Sequence, residues 1–149
     1  MTKWIVVDLD GTLCNADWRV EFAKSGDWDG FHSRCIDDEI VPATAEIVRR
    51  FGIDFNLLIL TGRNCRYRSL TLEWFQKKSL HDYIDVLGMR PDDDFRPDVE
   101  FKIEYLSRIF GSIEKAASEI LFAMEDRDKV VEAYRENGIV CHQVRQGDY

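Results

Sequence analysis

Five short apolar runs recur along this chain, and helix-length stretches separate them. They cover residues 4–7 (WIVV), 54–60 (DFNLLIL), 84–87 (IDVL), 120–124 (ILFAM) and 139–144 (IVCHQV). Runs this short and this apolar suit strands buried on both faces. The stretches between them carry helix signals. Pro42 fits the first turn of a helix over PATAEIVRRF that ends near Gly52. Leu70, Trp74 and Phe75 share one side of a helix over residues 65–78, and Phe101, Tyr105 and Ile109 repeat at helical spacing over residues 98–110. A fourth helix over 129–137 stops at Gly138. Strand alternating with helix predicts an α/β fold, a three-layer Rossmann-like parallel sheet with helices on both faces. Residues 13–41 break the pattern, mixing aromatics, glycine and acids without a period. They are read as a short cap insert at about 14–41, after strand 1, within one domain spanning residues 1–149.

The chemistry stands at the strand ends. The first run delivers Asp8 and Asp10, then Gly11 and Thr12. Period-two alternation places the two acids on one side, and Gly11 permits a sharp turn. Like charges this close call for a cation or a shared proton. The second run ends in Thr61, Gly62 and Arg63, and the fourth in Glu125 and Asp126. If the first strand lies between the second and the fourth, these groups converge at one rim, where open α/β sheets bind ligands. Taken singly each has a plainer role: Thr61 as a helix cap, Lys102 as a solvated charge, the acids as helix-start residues.

A formal net charge of −8 disfavours non-specific wrapping of nucleic acid but leaves room for a local phosphate pocket. Cys14, Cys35, Cys65 and Cys141 form no CxxC pair, which predicts reduced thiols in a cytoplasmic protein. No stretch reaches membrane-spanning length, and the start of the chain resembles no leader. His32, His81 and His142 lack ligand spacing, and Asp92–Asp94 read as a solvated loop rather than a calcium site.

DLDGT at 8–12, LTGR at 60–63, Lys102 and EDRDKVV at 125–131 resemble the four motifs of the haloacid dehalogenase (HAD) superfamily, in order and across nearly the whole chain. MRPDDDFRPDVEFK at 89–102 and AMEDRDKVVEAYRENGIVCHQVRQGDY at 123–149 are similar to the 3′-phosphatase domain of polynucleotide kinase-phosphatases of the bacteriophage T4 type. The resemblance implies a Mg²⁺-dependent phosphomonoesterase working through an aspartyl-phosphate. Asp8 would be the nucleophile and Asp10 the general acid and base. Thr61 and Lys102 would hold and neutralise the phosphate. Mg²⁺ would bind Asp8, the backbone carbonyl of Asp10, and Asp126 or Glu125. Glu125 stands where the family usually has an aspartate, which leaves open which of the pair touches the metal.

Arg19, Arg63, Arg90 and Arg96 are candidates for a basic rim that binds substrate, with Gly62 beside them. Trp18, Trp28, Phe31 and His32 would either stack on a base or form the insert's own core. The expected substrate is a phosphorylated nucleic-acid end or nucleotide, its 3′-phosphate removed. The chain lacks a GxxxxGK[ST] motif, so a separate kinase or ligase would act as its partner. A small-molecule or 5′-nucleotide phosphatase is the alternative enzyme, and a non-catalytic binding module the alternative of another class. Oligomeric state leaves no signal in the sequence.

Overall fold

In the computed structural model, residues 1–148 are described; Tyr149, the end of the predicted domain, lies outside them. The chain enters directly on β1 (Trp4–Val7). A tight loop leads to β2 (Cys14–Asn15), followed by two short helices, α1 (Val20–Lys24) and α2 (Trp28–Ser33), and by β3 (Glu39–Ile40). Next come α3 (Pro42–Phe51), β4 (Asn56–Asn64) and α4 (Arg68–Lys77). β5 (Val86–Arg90), α5 (Asp98–Phe110) and α6 (Ile113–Glu119) follow. β6 (Ile120–Arg127), α7 (Asp128–Glu136) and β7 (Cys141–Gly147) complete the described chain.

The five long strands form a parallel sheet in the order β5-β4-β1-β6-β7. β1 therefore lies between β4 and β6, as the convergence of motifs required. The strands fill both layers because successive residues point to opposite faces. Ile5 and Val7 of β1, with Leu57 and Ile59 of β4, pack against Ala45 and Val48 of α3 and Trp74 and Phe75 of α4. Val6, Leu58 and Leu60 face the other way, onto Phe101, Leu106 and Phe110 of α5 and Val130, Val131 and Tyr134 of α7. The chain order reverses at β1, so its carboxyl end is the switch point of the sheet.

Three features depart from the sequence reading. β4, β6 and β7 run past their apolar segments, through register shifts, to pair Asn64 with Arg90 and Arg127 with Gly147. Functional residues at these rims are thus still held by backbone pairing. The helix α6 was not predicted: it is one short segment, launched when Gly111 takes a left-handed φ of 95° and Ser112 caps it by accepting from the Lys115 N–H at 3.1 Å. The insert carries two short helices and is closed at its base by antiparallel pairing of β2 with β3, which two-residue strands do not announce in a sequence. Among the described residues no helix is long and apolar enough to cross a membrane, and all four cysteines are free thiols.

Candidate active site

Beyond β1 the backbone folds tightly on itself. The N–H groups of Thr12, Leu13 and Cys14 all bind the Leu9 carbonyl, at 3.2, 3.0 and 3.1 Å. Gly11 makes this turn at a φ of 87°, and a Cβ there would stand 2.2 Å from Oδ2 of Asp126. Glycine is thus required twice over, for conformation and for space. The turn presents Asp8, Asp10 and Thr12 at the carboxyl end of the central strand.

Asp8 is gripped on both oxygens. Lys102 Nζ donates to Oδ1 at 2.8 Å, and the Thr12 hydroxyl donates to Oδ2 at 3.0 Å. Lys102 is buried on α5 and also reaches Glu125 Oε2 at 2.7 Å and Asp98 Oδ2, its neighbour one turn earlier, at 3.3 Å. Burial works against charge on this lysine, but the three carboxylates outweigh it and hold its pKa well above the ordinary range. Asp8 is pushed the other way, well above the usual carboxylate range, by burial first and then by the charge of Glu125, with Lys102 opposing.

Oxygen atoms of Asp8, Glu125 and Asp126 lie within 4.8 Å of one another, a donor set suited to a hard divalent cation. The two β6 acids differ in how they are engaged. Glu125 Oε1 accepts the N–H groups of Asp126 and Arg127 at 3.1 and 3.2 Å, while its Oε2 takes Lys102. Asp126 faces Thr12 Oγ1 at 3.5 Å and the Arg145 guanidinium at 3.7 Å. Glu125 thus braces the turn and the lysine, and Asp126 turns toward the Gly11 loop.

Asp10 belongs to a different charge group. Nη2 of Arg19 and Nη2 of Arg63 each approach its Oδ1 at 2.6 Å. Burial would raise this carboxyl's pKa, but Arg63 and Arg19 outweigh burial and hold it far below the usual carboxylate range. Arg19 is itself forked onto Asp38, Nε to Oδ1 at 2.8 Å and Nη2 to Oδ2 at 2.6 Å, and donates to the Phe31 carbonyl at 2.8 Å. Arg63 donates to the Thr71 hydroxyl at 2.9 Å. The expected repulsion between Asp8 and Asp10 is therefore relieved by two separate sets of cations.

The four arginines expected at a basic rim occupy different settings. Arg19 and Arg63 are both buried against Asp10 and its neighbours, Arg19 away from the cleft and Arg63 on its lining. Arg90 is partly buried and works on the backbone. It donates to the carbonyls of Gly62 at 3.0 Å and Arg96 at 2.7 Å and to Asp98 at 3.0 Å, which shapes the loop after β5. Arg96 is the one of the four that stands at the surface, paired with Asp94 and Glu104. Thr61 is buried in β4 rather than capping a helix, and its hydroxyl accepts the Arg63 N–H at 3.1 Å. Gly62 leaves no room for a side chain: a Cβ would meet Asp98 Oδ1 at 2.2 Å.

Asp8, Asp10, Thr61, Gly62, Arg63, Arg90 and Arg96 all line one cleft of about 1030 Å³. The sequence reading assigned no role to Thr12, Asp38, Asp98, Arg127 or Arg145. Asp98 had a signal, its i,i+4 spacing to Lys102 on a predicted helix. Thr12 had its place in the DGT turn. Asp38 and Arg145 had none, since their partners are distant in sequence.

Solved structures with the same architecture include a HAD-like hydrolase from Streptococcus pneumoniae (TM-score 0.65, 14% identity, covering 94% of this chain and 83% of that one). L-2-haloacid dehalogenase from Xanthobacter autotrophicus matches at a TM-score of 0.65 with 12% identity over 97% of this chain and 78% of that one. A chain of the Pnkp1/Rnl/Hen1 RNA repair complex superposes at a TM-score of 0.80 with 25% identity over 99% of this chain. This chain spans only 44% of the length of that relative. A carboxylate-bearing turn at the switch point of such a sheet, with a lysine and a second acid beside it, defines a phosphatase of the HAD type. The family model for the polynucleotide kinase PNKP phosphatase domain matches residues 2–149, and the chain belongs to that family.

Proposed function

We propose that this HAD-type phosphatase removes 3′-phosphates from polynucleotide ends or nucleotides, with Mg²⁺ as cofactor and Asp8 as nucleophile. The observation that carries this reading is the setting of Asp8. It stands on the central strand, lines the cleft, and has both oxygens oriented by Lys102 and Thr12. A carboxylate held in this way is aimed before substrate arrives, which removes an orientation cost from the chemical step.

In the first step an Asp8 oxygen forms a bond to phosphorus as the bond to the leaving ribose oxygen breaks, and Asp10 gives that oxygen a proton. In the second step water attacks the phosphorus. Asp10 takes its proton, and the bond between Asp8 and phosphorus breaks to release inorganic phosphate. As held here, Asp10 is an anion, the form that draws a proton from water. Its protonated form in the first step is favoured by the negative charge of the arriving phosphate beside it, which raises the carboxyl's pKa. Thr61 and the backbone around Gly62 border the phosphate, and Lys102 steadies the Asp8 carboxylate before attack and again as it leaves phosphorus in the second step. The oxygen set of Asp8, Glu125 and Asp126 fits Mg²⁺; Asp8 and Asp126 would be its side-chain ligands, with the Asp10 carbonyl as a further donor. Glu125 serves as a brace. Bound there, the ion would offset repulsion between nucleophile and phosphate.

The structural likeness to a chain of an RNA repair complex supports a role in end repair beside a separate kinase or ligase. The test compares 3′-phosphorylated oligonucleotides, 3′- and 5′-mononucleotides and sugar phosphates, with and without Mg²⁺. Preference for the 3′-phosphorylated ends, lost in Asp8→Asn with the fold retained, supports the reading. Preference for sugar phosphates removes the nucleic-acid substrate, and an active Asp8→Asn enzyme removes the mechanism.

A further inference from the structure

The cleft is large for the job of holding one phosphate. At about 1030 Å³ it is at the top of the range that encloses a whole small ligand. Its lining is also unusual. Trp28 and Phe95 are large apolar side chains 56% and 91% exposed, and both lie on this cleft, one on each of two separate segments. Trp28 comes from α2 of the insert and Phe95 from the loop after β5. Single exposed apolar residues are ordinary on a protein surface. Two aromatic rings on the walls of a cleft that ends at a reactive carboxylate are a different matter.

Each ring sits on a braced support. The Trp28 indole stacks on the His32 ring, at 6.2 Å between centroids and 28° between planes. His32 in turn packs on Tyr67 at 5.2 Å, and the Tyr67 hydroxyl binds Asp29 beside Trp28. Burial pushes the His32 imidazole down to about 4, so this aromatic stack is uncharged at neutral pH. The loop carrying Phe95 is fixed from its other side: Arg66 donates to Asp92 at 2.9 Å, and Arg90 binds the carbonyl of Arg96 at 2.7 Å. Arg66 and Tyr67 are adjacent in one turn, so both walls are tied to the same point of the sheet rim.

Charge complements this surface. Although the chain carries a net −8, guanidiniums of Arg66, Arg96 and Arg145 line the same cleft. Arg66 pairs with Asp92 and Arg145 with Asp17 at the surface, and Arg96 pairs with a largely buried Asp94 and with Glu104. Surface pairs contribute little net stability, so a phosphodiester oxygen can join these guanidiniums at small cost while the loop stays braced. Flat aromatic faces beside guanidiniums are the chemistry that holds single-stranded nucleic acid.

We infer that Trp28 and Phe95 are stacking platforms for the terminal bases of a 3′-phosphorylated single strand, so that base-bearing ends are preferred to bare phosphates. This rests on the proposed polynucleotide substrate and adds how the end is held. The test measures kcat and KM for two 3′-phosphorylated oligonucleotides, one intact and one with stable abasic analogues in place of its last two nucleosides. Wild type is expected to show the lower KM for the intact end. Trp28→Ala and Phe95→Ala should each raise that KM about tenfold, with kcat less affected, and the double variant should bring the two substrates together. Trp28→Phe should restore most of the difference. Both side chains are exposed, and thermal unfolding checks that the variants fold. If wild type turns over the intact oligonucleotide but shows no preference over the abasic one, or the alanine variants keep it, the stacking assignment is overturned and the substrate reading stands. If wild type turns over neither oligonucleotide but cleaves sugar phosphates, both fall.

Discussion

Replacing Lys102 with methionine tests the charge balance of the site directly. The ammonium touches Asp8 at 2.8 Å, Glu125 at 2.7 Å and Asp98 at 3.3 Å, and it is buried. Methionine fills similar volume, so the main change is the loss of the positive charge from among buried acids. Removing one partner of a buried ion pair costs about 3–5 kcal/mol, because the remaining charge is left without compensation. In a chain of this size that lowers the melting temperature by about 10 °C near neutral pH without divalent cation. The deficit has a defined pH dependence. Burial and mutual repulsion already raise the Asp8 and Glu125 carboxyls, and Lys102 is the opposing influence on both. Without it their folded pKa values rise further above the unfolded ones, so the folded state binds more protons. Stability then increases as pH falls, and the gap to wild type narrows toward about pH 5. Thermal unfolding in the presence of a chelator, at several pH values, measures this. A variant as stable as wild type at neutral pH, or a deficit that does not shrink on acidification, would refute the charge balance argued here.

Other changes separate neighbouring roles. Asp126→Asn should cause the larger loss of Mg²⁺ affinity by calorimetric titration, and Glu125→Gln the larger loss of stability, because Glu125 anchors Lys102 and two backbone N–H groups. Gly62→Ala should lower stability by about 1–3 kcal/mol in urea unfolding, since the new methyl meets Asp98 Oδ1, which Arg90 and Lys102 hold in place. Asp38→Ala leaves the buried Arg19 fork without its main acceptor; kcat should fall more than KM changes, and the insert should become more sensitive to proteolysis.

The sheet and the motif positions were legible because apolar runs and strand-end chemistry are both local signals. β1 and α3 match their predicted spans, and the position of β1 between β4 and β6 follows from where the motifs had to meet. Lys102 was legible by its place among the motifs, although as a lone helix lysine it would read as a solvated charge. The partners of Asp10 were not legible. Nothing near Arg19 in the sequence announces that its guanidinium folds inward onto Asp38, nineteen residues away. An arginine is exposed by default, and only the three-dimensional count of neighbouring carboxylates shows otherwise.

That misplacement points to how the site works. Asp8 and Asp10 are two residues apart and both line the cleft, yet they answer to different cations: a lysine from α5 for one, two arginines for the other. A shared counter-charge would tie their protonation together. Separate ones let the pair move independently: without a cation Asp8 is driven upward by burial and acidic neighbours and Asp10 downward by Arg63 and Arg19. The proposed tasks need the reverse order, which a cation beside Asp8 and a phosphate anion beside Asp10 would each favour. Arg19 also carries the Asp10 side of the arrangement into the insert, through Asp38 and the Phe31 carbonyl. The insert that supplies Trp28 to the cleft wall is therefore fastened to one of the two guanidiniums that hold Asp10, so a change in the insert reaches Asp10 through Arg19.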